Sequence, residues 1–312
     1  MMEYTHRSHI PLIVILGPTA SGKSDLGIQL AKKYNGEIVS ADSRQVYKGL
    51  DIGTGKVTKT EQKIIKHHLL DVAKSGTRFN VAEYKKMADK AIFDVWKRGK
   101  IPFLVGGSSL YIQAVVDNYQ LGEGVSDPSL REKLESTSLS KLLAQLKKVD
   151  PESYKIIDKK NKRRIVRALE VYHVTGLKFS ELQRKGEDRY NTLLIGIDIS
   201  RETLYKRIDD RVDARVKQGM IKEVELLLKK GVSAEWLSAL GLEYRFISNY
   251  LLNTDHSKNA QEDMLQKLKF AIHDFTRRQL TWFRREKLIH WIKNQKEAEK
   301  EVKIFLKFST EK

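Results

Sequence analysis

The stretch Leu12-Ile13-Val14-Ile15-Leu16-Gly17-Pro18-Thr19-Ala20-Ser21-Gly22-Lys23-Ser24 decides the fold of this chain. Its first five residues are apolar and include Ile and Val, which predicts a buried strand. The pattern Gly-x-x-x-x-Gly-Lys-Ser comes next, and an apolar pattern with helical spacing then runs on until Gly36. A strand, a glycine loop and a helix in this order predict a phosphate-binding P-loop.

The residue types in this loop favour a diphosphate or triphosphate ligand. Gly17 and Gly22 allow the backbone to turn successive N–H groups toward an anion, and the following helix adds its positive end. Lys23 supplies a full positive charge, and the Ser24 hydroxyl can bind Mg²⁺. The loop alone does not distinguish the ligand or the reaction.

Composition restricts the class of protein. The 312 residues suffice for one large or two modest domains, and the absence of cysteine excludes disulfides, cysteine-bound zinc and thiol catalysis. Residues 1–9 are polar and lack the apolar core of a signal peptide, and no apolar run is long enough to span a membrane. We expect a cytoplasmic monomer with no membrane partner.

The net charge of +18 has two explanations. A lysine-rich surface for solubility is one, and a polyanionic partner such as nucleic acid is the other. Two clusters favour the second explanation. Residues 159–167 carry six cations and no acid, and residues 277–285 interleave arginines with Trp282 and Phe283, as suits RNA, although both aromatic residues also fit a core.

Two further strands are predicted to end beside the P-loop. Residues 37–43 end in Asp42 and Ser43, and residues 101–105 run into Gly106-Gly107-Ser108-Ser109. An acid at Asp42 suits a general base or a water-mediated Mg²⁺ ligand, or else a turn or helix cap. Ser108 or Ser109 can donate to a leaving oxygen or cap a helix.

The rest of the chain predicts an α/β protein with a helical insertion. We expect a P-loop NTPase-like parallel sheet flanked by helices in residues 1–117 and 190–312, and an all-α insertion at 118–189, where no strand pattern occurs. Residues 204–228 predict one long helix carrying Arg207 and Arg211, which either clamp a diphosphate or form surface pairs. Residues 51–56 predict a flexible glycine loop, 67–72 and 288–292 short strands, 271–287 a helix, and 293–303 a solvated helix.

An ordered set of motifs resembles the tRNA dimethylallyltransferase family and covers nearly the whole chain. The motifs lie at residues 17–24, 41–47, 51–54, 67–71, 106–111, 164–171 and 278–284. This resemblance implies transfer of a dimethylallyl group from dimethylallyl diphosphate to the exocyclic amine of the adenosine 3′ to the tRNA anticodon. Diphosphate leaves with the assistance of Mg²⁺, and the tRNA binds through its anticodon stem-loop.

The resemblance also implies residue roles. Asp42 is the general base, Ser108 stands beside the leaving oxygen, and Arg211 neutralises the diphosphate with Lys23. The implied diphosphate-binding residues are Gly17, Thr19, Ala20, Ser21, Gly22, Lys23 and Ser24, and Ser24 also binds the metal. The implied tRNA-binding residues are Asp42, Ser43, Arg44, Gln45, Arg163, Arg164, Arg167, Arg278, Gln279, Trp282 and Arg284.

Three segments depart from the family pattern. Ser109 replaces a usual glycine, residues 53–57 replace Gly-Thr-Ala-Lys-Pro, and residues 240–245 replace Gly-Tyr-Lys/Arg. The alternatives are a P-loop kinase for a small substrate, an enzyme that prenylates free adenine nucleotides, and an RNA-binding NTPase. The kinase predicts ATP turnover, and neither it nor the free-nucleotide enzyme has a use for the basic insertion.

Overall fold

The computed structural model describes residues 10–120, 127–182 and 186–310. The polar segment 1–9, for which the sequence predicts no signal peptide, lies outside these residues. The strands are β1 (Ile10–Leu16), β2 (Gly36–Ala41), β3 (His67–His68), β4 (Ile101–Gly106), β5 (Tyr190–Ile197) and β6 (Ile289–Ile292). They form one six-stranded parallel sheet in the order β3-β2-β4-β1-β5-β6, which confirms the predicted fold class.

Helices separate and follow these strands. Those within the first half of the chain are α1 (Lys23–Lys33), α2 (Lys59–Ile64), α3 (Val81–Lys97), α4 (Ser109–Val116), α5 (Pro128–Ser136), α6 (Leu139–Val149) and α7 (Pro151–Ile156). The later ones are α8 (Lys162–Thr175), α9 (Phe179–Leu182), α10 (Arg201–Lys217), α11 (Met220–Lys229), α12 (Ala234–Leu240), α13 (Leu242–Leu251), α14 (Lys258–Phe283) and α15 (Gln295–Thr310).

The register of the central strands determines where a ligand can bind. Leu16 at the end of β1 pairs with Gly106 at the end of β4, and Ala41 at the end of β2 pairs with the same glycine. The carboxyl ends of β1, β4 and β2 therefore meet at one edge of the sheet. In open parallel sheets this is the edge at which ligands bind.

A continuous core packs α1 and α15 against one face of the sheet. It contains Ile13, Phe103 and Ile195 from the strands, all fully or almost fully buried. Ala298 and Val302 of α15 are buried in the same core. The prediction of a solvated helix at 293–303 was therefore wrong for one face of that helix, since its mixed charges cover only the other positions.

Two elements differ from their predicted bounds because residues within them have a positive φ. The single helix at 204–228 is in fact α10 and α11, separated where Gly219 adopts a φ of 103°, a left-handed value that ends a helix. The strand at 67–72 is only β3, because Leu69 and Asp71 have φ values of 65° and 57° and turn the chain. Helix α14 begins well before the predicted residue 271 and ends at Phe283.

The chain divides into two compact units, Met1–Ile112 with Arg189–Lys312, and Gln113–Asp188. The second unit starts inside α4, ahead of the predicted boundary at 118. Its described residues form helices without strands, around a core that includes Leu142, Leu146 and Leu169. Asp150 caps α7, whose first residue is Pro151, and Gly176 ends α8 with a φ of 72°.

None of the described helices is both long enough and apolar enough to span a bilayer.

Candidate active site

The P-loop follows β1 and forms the N-terminus of α1. Gly22 is the N-cap of α1 with a φ of 92°, and no side chain caps the helix, so its first amides remain available to an anion. A Cβ at Gly17 would lie 2.8 Å from the Ser21 hydroxyl. Lys23 reaches back across the loop, and its Nζ donates to the Pro18 carbonyl at 3.1 Å. Glycines are thus required at both ends of the loop.

Helices α10 and α14 hold the P-loop from outside. Arg211 of α10 donates from Nη2 to the Thr19 hydroxyl. Gln279 of α14 accepts from the Thr19 amide at 3.0 Å and donates to the Gly107 carbonyl at 2.8 Å. Gln279 is buried and its amide is engaged with two backbone groups. The structure therefore places this residue between the ends of β1 and β4, not on an exposed RNA-binding face.

Asp42 lies directly after β2, at the same edge of the sheet as Lys23. Its Oδ1 accepts from the backbone amides of Arg44 at 2.9 Å and Gln45 at 3.3 Å. The turn role that the sequence left open is thus real, and it fixes the carboxylate in place. Both of these bonds use one oxygen, so Oδ2 is the atom that can accept a proton from a ligand.

Ser108 links the ends of β4 and β2. Its amide donates to the Ala41 carbonyl at 3.1 Å, and its hydroxyl accepts from the Ser43 amide at 2.9 Å. The same hydroxyl donates to the Ser43 hydroxyl at 3.2 Å. Ser108 is therefore adjacent to the Asp42 segment, while Ser109 is the first residue of α4.

The site concentrates positive charge. Burial, opposed by Asp42 and assisted by Arg211 and Arg44, lowers the pKa of Lys23 to about 8. Burial also lowers the pKa of Arg211 to about 10, helped by Arg215. Cations whose charged forms are disfavoured by burial and by one another favour an anionic ligand. Phosphate groups at this loop satisfy that requirement.

The glycine loop at 51–56 is anchored and closely packed. Glu223 of α11 accepts from the amides of Asp51, Ile52 and Gly53 at 2.9, 2.7 and 3.0 Å. A Cβ at Gly53 would lie 2.8 Å from the Tyr244 ring. The expectation of a flexible loop was therefore wrong, because an acid distant in the sequence binds three of its N–H groups.

Gly55 brings this loop to the Asp42 segment. Its φ is 60°, and a Cβ there would lie 1.7 Å from Nη2 of Arg215, so a side chain at this position would displace that guanidinium group. Its carbonyl accepts from Nε2 of Gln45 at 3.2 Å. Sequence reasoning did not identify Glu223 or Tyr244; the only signal nearby was the departure from the family pattern at 240–245.

The basic stripe on α14 is partly available to RNA. Arg278 and Arg284 are exposed, Trp282 is half-buried, and Phe283 is a core residue that contacts Trp282 edge-on. Arg277 forms an ion pair with Asp274 at 2.9 Å. The stripe thus presents cations and one aromatic edge on the surface of this unit.

The basic cluster of the second unit lies on α8. Arg163 and Arg164 are exposed in the first turn of this helix, whose other face is buried. Arg167 instead donates to Glu170 at 2.9 Å, and Glu170, which is fully buried, also pairs with Arg131 at 3.1 Å. The structure thus distinguishes two exposed arginines from a third that neutralises a buried acid.

A metal at this site would depend on the ligand for most of its donors. The described residues contain no group of three His, Cys, Asp or Glu side chains arranged to hold a metal ion. Mg²⁺ commonly binds one or two protein oxygens together with phosphates and waters. The Ser24 hydroxyl at the start of α1 suits this mode of binding.

This chain is similar to known proteins over most of its length. The model of the family described as IPPT, IPP transferase, matches residues 45–286. The tRNA dimethylallyltransferase of Pelotomaculum thermopropionicum is 41% identical over 94% of this chain and 93% of its own length. That of Halothermothrix orenii is 43% identical over 90% of this chain and 86% of its own length.

Solved structures give the same result. The tRNA isopentenylpyrophosphate transferase of Bacillus halodurans is 34% identical with a TM-score of 0.71, covering 96% of this chain and 98% of that one. A eukaryotic dimethylallyltransferase acting on tRNA is 30% identical with a TM-score of 0.74, covering 88% of this chain and 69% of that one.

Proposed function

Because this chain belongs to the IPP transferase family, with curated relatives named tRNA dimethylallyltransferase, we propose that it transfers a dimethylallyl group to tRNA. The donor is dimethylallyl diphosphate, and the acceptor is the N6 amine of the adenosine 3′ to the anticodon. One observation carries the proposal: the end of β2 places a carboxylate, Asp42, beside a cationic P-loop. A phosphate cradle beside a potential base suits displacement of diphosphate by a protonated nucleophile.

The donor binds through its diphosphate. The uncapped amides of α1, the Lys23 ammonium and the Arg211 guanidinium contact the phosphate oxygens. Negative charge grows on the leaving oxygen as its bond to the prenyl carbon breaks. Fixed cations at that position stabilise the transition state more than the bound donor, which accelerates the step.

The acceptor amine needs help because the exocyclic nitrogen of adenine is a weak nucleophile. As the N6–carbon bond forms and the carbon–oxygen bond breaks, one N6 proton passes to Oδ2 of Asp42. The turn that holds Oδ1 orients this base. General-base assistance of this kind contributes about 10²–10⁴-fold to the rate.

Ser108 and Ser24 complete the diphosphate side. The Ser108 hydroxyl exchanges its 3.2 Å bond to Ser43 for a bond to the leaving oxygen. Mg²⁺ held by Ser24 and the phosphates would supply further neutralisation of the leaving charge. The chain's own contribution is to orient the diphosphate so that the prenyl carbon faces Asp42.

The RNA binds through both units. Ser43, Arg44 and Gln45 hold the target adenosine, which leaves its stack to enter the site. Arg278, Trp282 and Arg284 contact the RNA near this site, and Arg163 and Arg164 contact its backbone from the second unit. Arg167 supports that surface through its pair with Glu170.

The exposed arginines of α8 provide a test of RNA binding. We expect the double variant R163A/R164A to weaken tRNA binding about tenfold at low salt and to reduce the slope of log Kd against log salt by about one to two, because each arginine that neutralises a phosphate releases counterions. Filter binding over a salt series measures this. An unchanged slope would show that α8 makes no phosphate contact.

R167A is the matched control on the same helix. Its loss leaves Glu170 buried beside one arginine instead of two. We expect a lower thermal midpoint for this variant, with little change in the salt slope.

Nucleoside mass spectrometry tests the proposed function. The protein is mixed with unmodified tRNA and Mg²⁺, with dimethylallyl diphosphate in one tube and ATP in another. We expect adenosine to gain one prenyl unit in the first tube only. Unmodified tRNA in the first tube with ADP or phosphate released in the second would favour the kinase or NTPase.

A further inference from the structure

Glu243 is a buried carboxylate placed between two arginines of the site. Its Oε2 accepts from Nη1 of Arg44 at 2.6 Å, and its Oε1 accepts from Nη1 of Arg215 at 3.4 Å. Its side chain is 3% exposed, and those of Arg44 and Arg215 are 16% and 9% exposed. Burial alone would raise the pKa of Glu243, but the two arginines hold it below its usual value. This residue is therefore a fixed negative charge.

The four cations of the site have two different sets of partners. Lys23 and Arg211 bond to the P-loop itself, through the Pro18 carbonyl and the Thr19 hydroxyl. Arg44 and Arg215 bond to Glu243, and Arg215 also donates to the Gly53 carbonyl at 3.2 Å. All four are close enough to change one another's pKa values. Two of these cations thus bond to Glu243, and the other two bond to the P-loop.

The local backbone shows that Glu243 is placed under constraint. It is the second residue of α13, and the preceding Gly241 and Leu242 have φ values of 83° and 43°. A positive φ at leucine is disfavoured, so packing around this turn must enforce it. The segment is also the one at 240–245 that departs from the Gly-Tyr-Lys/Arg pattern of the family.

We propose that Glu243 is a positioning residue that withholds Arg44 and Arg215 from the diphosphate. Lys23 and Arg211 then contact the departing diphosphate while Arg44 and Arg215 do not, so it is held tightly enough to stabilise the transition state and weakly enough to release the product. Arg44 stays free of the phosphates to orient the adenosine-binding turn. This inference rests on the proposed prenyl transfer.

Neutralising Glu243 is expected to strengthen the binding of a diphosphate. Two guanidinium groups lose their carboxylate, and the net positive charge around the diphosphate increases. Coulomb attraction in a partly buried site then strengthens the binding of a polyanion. Loss of a merely structural acid would instead loosen the site and weaken that binding.

Calorimetric binding of inorganic pyrophosphate to the full-length protein tests the proposal. We expect E243Q to bind pyrophosphate about tenfold more tightly than the wild type and to lose about tenfold in steady-state kcat through slow product release. The single-turnover rate falls less than kcat. Unchanged or weaker pyrophosphate binding by folded E243Q would overturn the proposal.

E37Q is the matched control. Glu37 has a side chain that is also 3% exposed and pairs with Arg98, Lys100 and His68, but it lies near the start of β2, away from the ligand edge. We expect E37Q to leave pyrophosphate affinity unchanged. A matching gain in E37Q would mean that net charge alone is responsible, and this would overturn the proposal.

A second variant pair keeps the proposal testable if E243Q does not fold. Since Glu243 keeps Arg215 off the phosphates, R215Q removes only a charge at a distance and should weaken pyrophosphate binding less than R211Q, which removes a direct contact and weakens it at least tenfold. Equal losses in both would contradict the assignment. Pyrophosphate binding needs no prenyl transfer, so a wild type that binds pyrophosphate but leaves tRNA unmodified would refute the proposed function separately.

Discussion

We expect Asp42→Asn to lower kcat for prenyl transfer by about 10²–10⁴-fold and to change tRNA affinity by less than threefold. The amide cannot take the N6 proton, so the amine must attack while still fully protonated. Single-turnover transfer with saturating donor and tRNA measures the chemical step without product release. A loss of this size would show that the main contribution of Asp42 to the rate is to accept the N6 proton.

Asparagine is the informative substitution because it preserves the turn. Its side-chain oxygen can still accept from the Arg44 and Gln45 amides, which now bond to Oδ1 at 2.9 and 3.3 Å. A variant that keeps most of its rate would remove Asp42 as the base. A variant that loses rate and tRNA affinity together would show that the carboxylate mainly builds the binding surface.

We expect Lys23→Met to lower kcat by about 10²–10³-fold and to raise the apparent KM for the prenyl donor. In the proposed reaction the ammonium neutralises charge that develops on the leaving diphosphate, and methionine fills the same space without charge. Lys33→Met at the other end of α1 is the control, since Lys33 pairs with Glu299. Transfer that is indifferent to Lys23 would mean that the loop does not hold the donor.

The proposed role of Lys23 also predicts that proton uptake on pyrophosphate binding depends on pH. Burial lowers its pKa from 10.5 to about 8, so the folded protein disfavours the ammonium, and this penalty on the free energy of unfolding disappears as pH rises from about 8 toward 10.5. A bound anion restores the charge. Pyrophosphate binding above pH 8 should therefore take up a proton, and calorimetry in buffers of different ionisation enthalpy should lose that signal in Lys23→Met.

Local patterns predicted the scaffold and the residues on it. The run at 12–16, the two glycines of the loop and the polar strand ends specified β1, the P-loop and the edge where Asp42 and Ser108 meet. These features depend on neighbours in sequence, which a pattern can record.

The sequence did not reveal hydrogen bonds between residues that lie far apart along the chain. Gln279 was expected to bind RNA, yet it bridges Thr19 and Gly107, more than 170 residues away along the chain. Glu223 and Glu243 follow no motif, and their roles arise only when α11 and α13 bring them to the loops at 51–55 and 42–45. The partner of a buried polar group is determined by tertiary packing, which the hydrophobic periodicity of the sequence does not reveal.

The central claim is that this P-loop releases diphosphate by prenyl transfer and not by nucleotide hydrolysis. Its most direct test counts pyrophosphate and prenylated adenosine in one reaction containing tRNA, Mg²⁺ and dimethylallyl diphosphate. We expect equal amounts of the two products, and none of either without tRNA. Pyrophosphate released without prenylated adenosine, or phosphate released from ATP while the tRNA stays unmodified, would contradict the claim.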